Sequence, residues 1–350
     1  MDISKHGGDI YSVSRIGENL LDFSSNVNPM GLPKRAVKIL KNSISGYFAY
    51  PDINCTYLKK SISEFESITE KNILCGNGAA DIIYRISYAL RPKRALLLAP
   101  TFSEYELSLI NVDCKIDYYY LRSESDFILD EKILKEIDKI DILFICNPNN
   151  PTGKILEKEL LIKIAKKCLE INCVLVIDEC FNSFLENPNK FSLKDQLYNF
   201  DNLIILKAFT KFFAMAGLRL GYCLSSNEDT LKRITKAGQP WSVSTPAQLC
   251  GIEVLKDEEY LKKTVAENIK ERLYLSVSLR NLGLIVYESD ANFILFKCEN
   301  INNLHELLLN KKILIRNCEN FRGLNNNYFR IAVKSHLDNL TLIETLKEIL

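Results

Sequence analysis

The stretch DILFICNPNNPTGKILEKELLIKIAKKCLEINCVLVIDE (141–179) decides the fold. It opens with the apolar run DILFIC (141–146) and closes with another, CVLVID (173–178). Neither run alternates with polar residues, so each reads as a strand buried on both faces. Between them, EKELLIKIAKKCLE (157–170) has apolar residues at 160, 161, 164, 165 and 169, a helical stripe under a lysine-rich outer face. Strand, helix and strand in succession make a β-α-β unit, which implies a mainly parallel sheet.

The same signals continue outward. ALLLA (95–99), IDYYYL (116–121) and LIILK (203–207) are further short apolar runs, expected to be buried strands. From about residue 255 the pattern changes to a long helical stretch. It is followed by LIVYESDANFILFK (284–297), ILIR (313–316), YFRIAV (328–333) and an amphipathic terminal helix, LDNLTLIETLKEIL. The expectation is an α/β protein with a large domain at 31–250 and a smaller α+β domain at 251–350 that includes an N-terminal arm at 1–30. The length of 350 residues agrees with two domains of about 100 to 200 residues each.

Apolar residues make up 47% and charged residues 25%, the composition of a chain that folds throughout. Forty-five Lys and Arg against forty-four Asp and Glu leave a net charge of +1, so there is no global field to hold nucleic acid or an anionic membrane. An anionic partner must be gripped locally. The eleven cysteines are scattered from Cys55 to Cys318 with no C-x-x-C pair, which argues against a zinc ribbon or disulfide framework, and no metal site is expected. The first twenty residues carry no signal-peptide core, and no apolar run approaches the roughly eighteen residues that span a bilayer. The expectation is a reduced, cytoplasmic protein with buried thiols.

In an open parallel sheet, ligands collect beyond the carboxyl ends of the strands, so polar residues just after the apolar runs are the first candidates. NPNNPTG (147–153) prescribes a rigid turn presenting amides, or simply a loop. Asp178 ends a strand buried on both faces, where a carboxylate must be paired. It either accepts backbone hydrogen bonds or faces a cationic ligand. Lys211 sits among Phe209, Phe212, Phe213 and Met215, a setting that lowers an amine's pKa and favours imine chemistry, unless the side chain reaches the surface. Arg219, eight residues on, could close on an anion. CGNGAADIIYRISYAL (75–90) puts a glycine turn before a helix, either a phosphate-binding N-terminus or an ordinary helix start.

Together these pieces resemble the fold-type I pyridoxal phosphate enzymes of the aspartate aminotransferase superfamily. The markers are NPTG (150–153), Asp178 with Phe181 three residues on, and Lys211 with Arg219 in the T-K…GLRLGY signature, in an order that covers nearly the whole chain. HGGDI (6–10), DFSSNVNPMG (22–31), YPD (50–52) and IRNCENFRGL (315–324) are similar to the branch holding histidinol-phosphate aminotransferases and threonine-phosphate decarboxylases, and more so to the decarboxylases of cobalamin biosynthesis. The resemblance implies an aspartate aminotransferase-like fold and assigns roles. Lys211 would attach the cofactor and act as acid and base, and Asp178 would pair with the protonated pyridine nitrogen. Asn150 would bond the ring's phenolic oxygen and Phe102 would stack on the ring. Gly78, Ala79, Thr210 and Arg219 would bind the cofactor phosphate, joined by Tyr50 from the partner of a homodimer.

Two positions depart from the superfamily. Ala208 replaces the usual Ser or Thr three residues before the lysine, removing one donor to the cofactor phosphate. Phe181 stands where aminotransferases carry Tyr, which favours decarboxylation. For a small phosphorylated substrate, the resemblance implies His6, Gly7, Asn26, Asn150, Arg316 and Arg330. Arg316, expected to end a short strand, and Arg330, within another, could converge on one dianion. The implied reaction is decarboxylation of L-threonine O-3-phosphate. The rival within the superfamily is a histidinol-phosphate aminotransferase. A non-enzymatic cofactor sensor would need a DNA-binding segment, for which neither an extra N-terminal domain nor a basic surplus is expected here.

Overall fold

The computed structural model describes residues 7–12, 20–301 and 303–350. In chain order the strands are β1 (Leu21–Asp22), β2 (Ile73–Gly76), β3 (Arg94–Ala99), β4 (Lys115–Tyr120), β5 (Ile142–Cys146), β6 (Val174–Asp178), β7 (Leu203–Ala208) and β8 (Gly221–Leu224). They continue as β9 (Ile285–Val286), β10 (Phe293–Lys297), β11 (Ile313–Leu314), β12 (Arg316–Asn317) and β13 (Tyr328–Ala332). Seven of them form one sheet in the order β2-β8-β7-β6-β5-β3-β4. β8 runs antiparallel to both neighbours, and the other pairs in the sheet are parallel. The helix of the deciding stretch, Lys158–Glu170, links the parallel neighbours β5 and β6 as the β-α-β reading requires.

The unbroken apolar runs reflect burial on both faces. Leu143, Ile145, Leu175, Ile177, Leu203 and Ile205 enter one hydrophobic cluster. Ile142, Phe144, Val176, Ile204 and Leu206 enter another on the opposite face. One expectation fails here: β4 lies at the sheet edge and is mostly half-buried, with Tyr120 exposed, because only one flank of it is paired. β2 and β8 were not anticipated from the sequence. β7 and β8 flank the segment 209–220, which holds Lys211 and Arg219 at the strand ends.

A four-stranded sheet, β12-β13-β10-β9, carries the C-terminal part together with the helices Glu258–Asn281 and His336–Ile349. The stretch 284–297 holds two antiparallel strands, β9 and β10. ILIR also splits: β11 pairs in parallel with β1, while Arg316 begins β12 instead of ending a strand. Phe23, just after β1, belongs to the same apolar cluster as Leu275, Phe296, Ile315 and Leu342, so the early chain is bound to the C-terminal elements. Among the described residues no helix is long and apolar enough to cross a membrane. All eleven cysteines are free thiols, and only Cys180 is not buried.

Candidate active site

The carboxyl ends of the parallel strands meet in register. Cys146 pairs with Asp178, and Asp178 with Leu206, two residues before Ala208. A cavity of about 410 Å3 opens over these ends. It is closed from the other side by Ser24, Ser25 and Asn26 and by Arg316, Phe321 and Arg330. Gly7, Asn26, Ala79, Phe102, Asn150, Asp178, Thr210, Lys211, Arg219, Arg316 and Arg330 all line it, although they come from stretches far apart in sequence. His6 lies outside the described residues. Tyr50 lies away from the cavity, 81% exposed and packed against Trp241 at 4.8 Å between ring centroids.

Asp178 is buried, and burial pushes its carboxyl above the usual range. Its Oδ1 accepts the Cys180 N–H at 2.9 Å, and its Oδ2 accepts the Tyr105 hydroxyl at 2.6 Å. The backbone bond of the first reading is made, and the group also lines the cavity, where the second reading would put a cationic ligand. Lys211 follows β7 in the short helix Phe209–Phe212. Burial, and then the guanidinium groups of Arg330 and Arg219, lower its ammonium to about 8. A substantial neutral fraction of amine is therefore present near physiological pH.

The turn NPNNPTG divides its amides between two tasks. Asn147 Nδ2 donates to Phe191 O at 2.8 Å and Asn147 Oδ1 accepts Leu156 N–H at 2.9 Å. Asn149 donates to Pro100 O at 3.0 Å and accepts from Thr101 Oγ1 at 2.8 Å. These two tie the loop down, and Asn150 faces the cavity, where its Oδ1 accepts from Arg330 Nη1. Arg330 Nη2 also donates to Ser24 O at 2.8 Å, and its buried Nε has no partner among the described residues.

At the opposite end, Gly78 caps the helix Ala79–Leu90 with φ 87° and ψ 163°, a region open only to glycine. Among the described residues no side chain caps this helix start, and an uncapped start offers N–H groups that suit an anion. Arg219 lies directly over the turn: a Cβ on Gly78 would meet its Nη2 at 2.7 Å. Thr210 stands on the same rim, while Ala208 contributes no donor.

Arg316 and Arg330 are direct cross-strand partners on β12 and β13, and both are buried. Arg316 Nη2 donates to Asn320 Oδ1 at 2.6 Å, and its guanidinium lies 5.5 Å from the Phe321 ring. Burial first, with the Arg316 charge adding to it, lowers Arg330 to about 10. Like charges placed opposite each other repel, and an anion between them would relieve that repulsion.

Pyridoxal phosphate fits these residues. A buried carboxylate suits a ring cation, and a partly neutral lysine suits its aldehyde. Phe102 offers a flat wall, and the uncapped helix start with Arg219 suits a phosphate. Tyr105, Ser24, Cys180, Asn320 and Phe321 were not anticipated as part of the site. Of these, Ser24, Asn320 and Phe321 lie within the quoted stretches DFSSNVNPMG and IRNCENFRGL, and Tyr105 stands three residues after Phe102, hence on the same side of a helical turn. Among the described residues no group of three or more His, Cys, Asp or Glu could hold a metal ion.

Residues 18–349 match the aminotransferase class I and II family. A threonine-phosphate decarboxylase of Salmonella typhimurium is 34% identical over 99% of this chain and 97% of its own. A histidinol-phosphate aminotransferase of Clostridium novyi is 34% identical over 93% and 91%. Among solved structures, the histidinol-phosphate aminotransferase of Clostridium acetobutylicum superposes with a TM-score of 0.89 at 34% identity, covering 94% of this chain and 99% of that one.

Proposed function

The chain belongs to the aminotransferase class I and II family, and we propose that it is a pyridoxal phosphate-dependent decarboxylase. Its substrate is L-threonine O-3-phosphate and its product (R)-1-amino-2-propanol O-2-phosphate, a step of cobalamin biosynthesis. The observation that carries this reading is the in-register pair Arg316 and Arg330 on the wall facing Lys211, two buried cations suited to one phosphate dianion. The similarity to the Salmonella decarboxylase across almost the whole length supports it.

When bound, pyridoxal phosphate supplies an electrophilic carbon for the substrate amine and a cationic ring that accepts the electron pair left at the α-carbon. The chain's own residues do the rest. Asp178 holds the positive charge of the ring nitrogen, and Phe102 and Cys180 border the space above the strand ends. The helix start at Ala79, with Thr210 and Arg219, holds the cofactor phosphate. Arg316 and Arg330 hold the substrate phosphate. With both arginines engaged there and Arg219 on the cofactor phosphate, no further arginine among the described lining residues is left to retain the α-carboxylate. The bond between the α-carbon and the carboxyl carbon breaks, carbon dioxide leaves without the bonding pair, and Lys211 Nζ, protonated by the substrate's ammonium as the amine enters, delivers that proton to the α-carbon. Phe181 packs edge-on against Phe293 at 4.9 Å and has no hydroxyl to offer the cofactor's phenolic oxygen.

The alternative is transamination of histidinol phosphate, which relatives of equal identity carry out by name. Incubation with L-threonine O-3-phosphate and pyridoxal phosphate alone is expected to release carbon dioxide and the amino alcohol phosphate. Turnover that requires 2-oxoglutarate and yields glutamate would identify an aminotransferase instead.

A further inference from the structure

Tyr105 lies on the helix Ser103–Ile110 and is completely buried, behind the residues that line the cavity. Its hydroxyl donates to Asp178 Oδ2 at 2.6 Å. Two aromatic contacts fix its ring. Phe144 lies nearly parallel at 5.0 Å and 13°, and Phe102 meets it edge-on at 5.6 Å and 84°. Burial raises the phenol well above its ordinary value, so the hydroxyl stays protonated and acts as a donor. With the Cys180 N–H on Oδ1 and the Cys180 thiol also bonded to the carboxylate, the two oxygens are held from both sides and keep further lone-pair capacity for a ligand.

We infer that Tyr105 is a positioning residue of the cofactor site: its hydroxyl fixes the Asp178 carboxylate toward the cavity while its ring backs Phe102. The inference rests on reading the cavity as a pyridoxal phosphate site. A carboxylate in a buried setting is ionised and oriented only to the extent that donors hold it. Of the donors the structure gives Asp178, the backbone N–H and the thiol of Cys180 belong to the chain leaving the strand, whereas the Tyr105 hydroxyl comes from a different element. Tyr105 therefore links the helix that presents Phe102 to the strand that presents Asp178. One side chain sets both the acid and the ring wall.

Tyr105→Phe keeps the ring and both aromatic contacts and removes only the hydroxyl. A hydrogen bond to a charged group corresponds to roughly tenfold in an equilibrium constant, so the dissociation constant for pyridoxal phosphate, measured by equilibrium dialysis, is expected to rise about tenfold. Near-ultraviolet circular dichroism should be unchanged. In an Asp178→Asn background the same substitution is expected to cause no further loss, since the charged acceptor is gone. Unchanged affinity in Tyr105→Phe, or equal losses in both backgrounds, would overturn the inference and leave Tyr105 a packing residue. Failure of the parent chain to bind pyridoxal phosphate is a different result, and it would overturn the reading of the cavity itself.

Discussion

Lys211 shows how one side chain's chemistry follows from its surroundings. Its neighbours in sequence are aromatic, its segment leaves β7 at the strand ends, and the cations of Arg330 and Arg219 lie close enough to oppose a third positive charge. Burial and repulsion act in the same direction, bringing the ammonium from 10.5 to about 8. Only the neutral amine is a nucleophile, so its reactivity rises as pH passes upward through that value. In the cofactor-free protein, labelling of Lys211 by an amine-reactive reagent should reach half its maximum near pH 8, whereas solvated lysines should do so near 10.4. Peptide mapping at graded pH measures this directly. Borohydride reduction of the cofactor-loaded protein should place the label on the same residue, and a label on another lysine would contradict the assignment.

The helix start at Ala79 carries the next step, because it can bind an anion only if the turn before it lets Arg219 close in. Gly78 occupies a backbone region that costs other residues about 1–3 kcal/mol, and a methyl there would meet the Arg219 guanidinium at 2.7 Å. Gly78→Ala is therefore expected to lower stability by about 1–3 kcal/mol in a denaturant titration and to weaken cofactor binding as well. A stability loss without any change in affinity would show that the turn serves folding alone. At this scale the sequence was most legible where burial on two faces left unbroken apolar runs, as in β5, β6 and β7. It was least legible at β2 and β8, four residues each, where Gly76 and Gly221 read as turn signals. The expected position of Arg316 differed because Ile315 separates two short strands that pair with different partners, a tertiary choice invisible in ILIR. Most residues that the motifs picked out line the cavity, whereas Tyr105 behind them was not among them. Nothing in APTFSEY (99–105) says that Tyr105, rather than Tyr84 or Tyr118, reaches Asp178.

At the scale of the whole molecule, the exposed apolar residues are unevenly placed. Ile44, Phe48, Tyr50, Ile53 and Tyr57 lie on one stretch of chain, and Phe48 is 92% exposed. Trp241, against which Tyr50 packs, extends the same surface, and Gln248 Nε2 fastens the stretch by donating to Asp52 O at 2.9 Å. Aromatic residues gathered on a held surface mark an interface more often than a solvated face. Tyr50 lies away from its own chain's cavity, so it can serve a cofactor phosphate only in a second copy. The expected arrangement is a homodimer in which each copy lends Tyr50 to the other. Sedimentation should then give twice the 40.1 kDa chain mass. Phe48→Glu introduces a charge into the contact and should shift the chain toward monomer, with cofactor affinity falling as the dimer is lost. Tyr50→Phe should leave the dimer intact and weaken cofactor binding by about 0.5–3 kcal/mol, the range spanning neutral and charged hydrogen bonds. The two substitutions separate assembly from contact: a chain that remains monomeric at full cofactor affinity would remove both the dimer and the role of Tyr50.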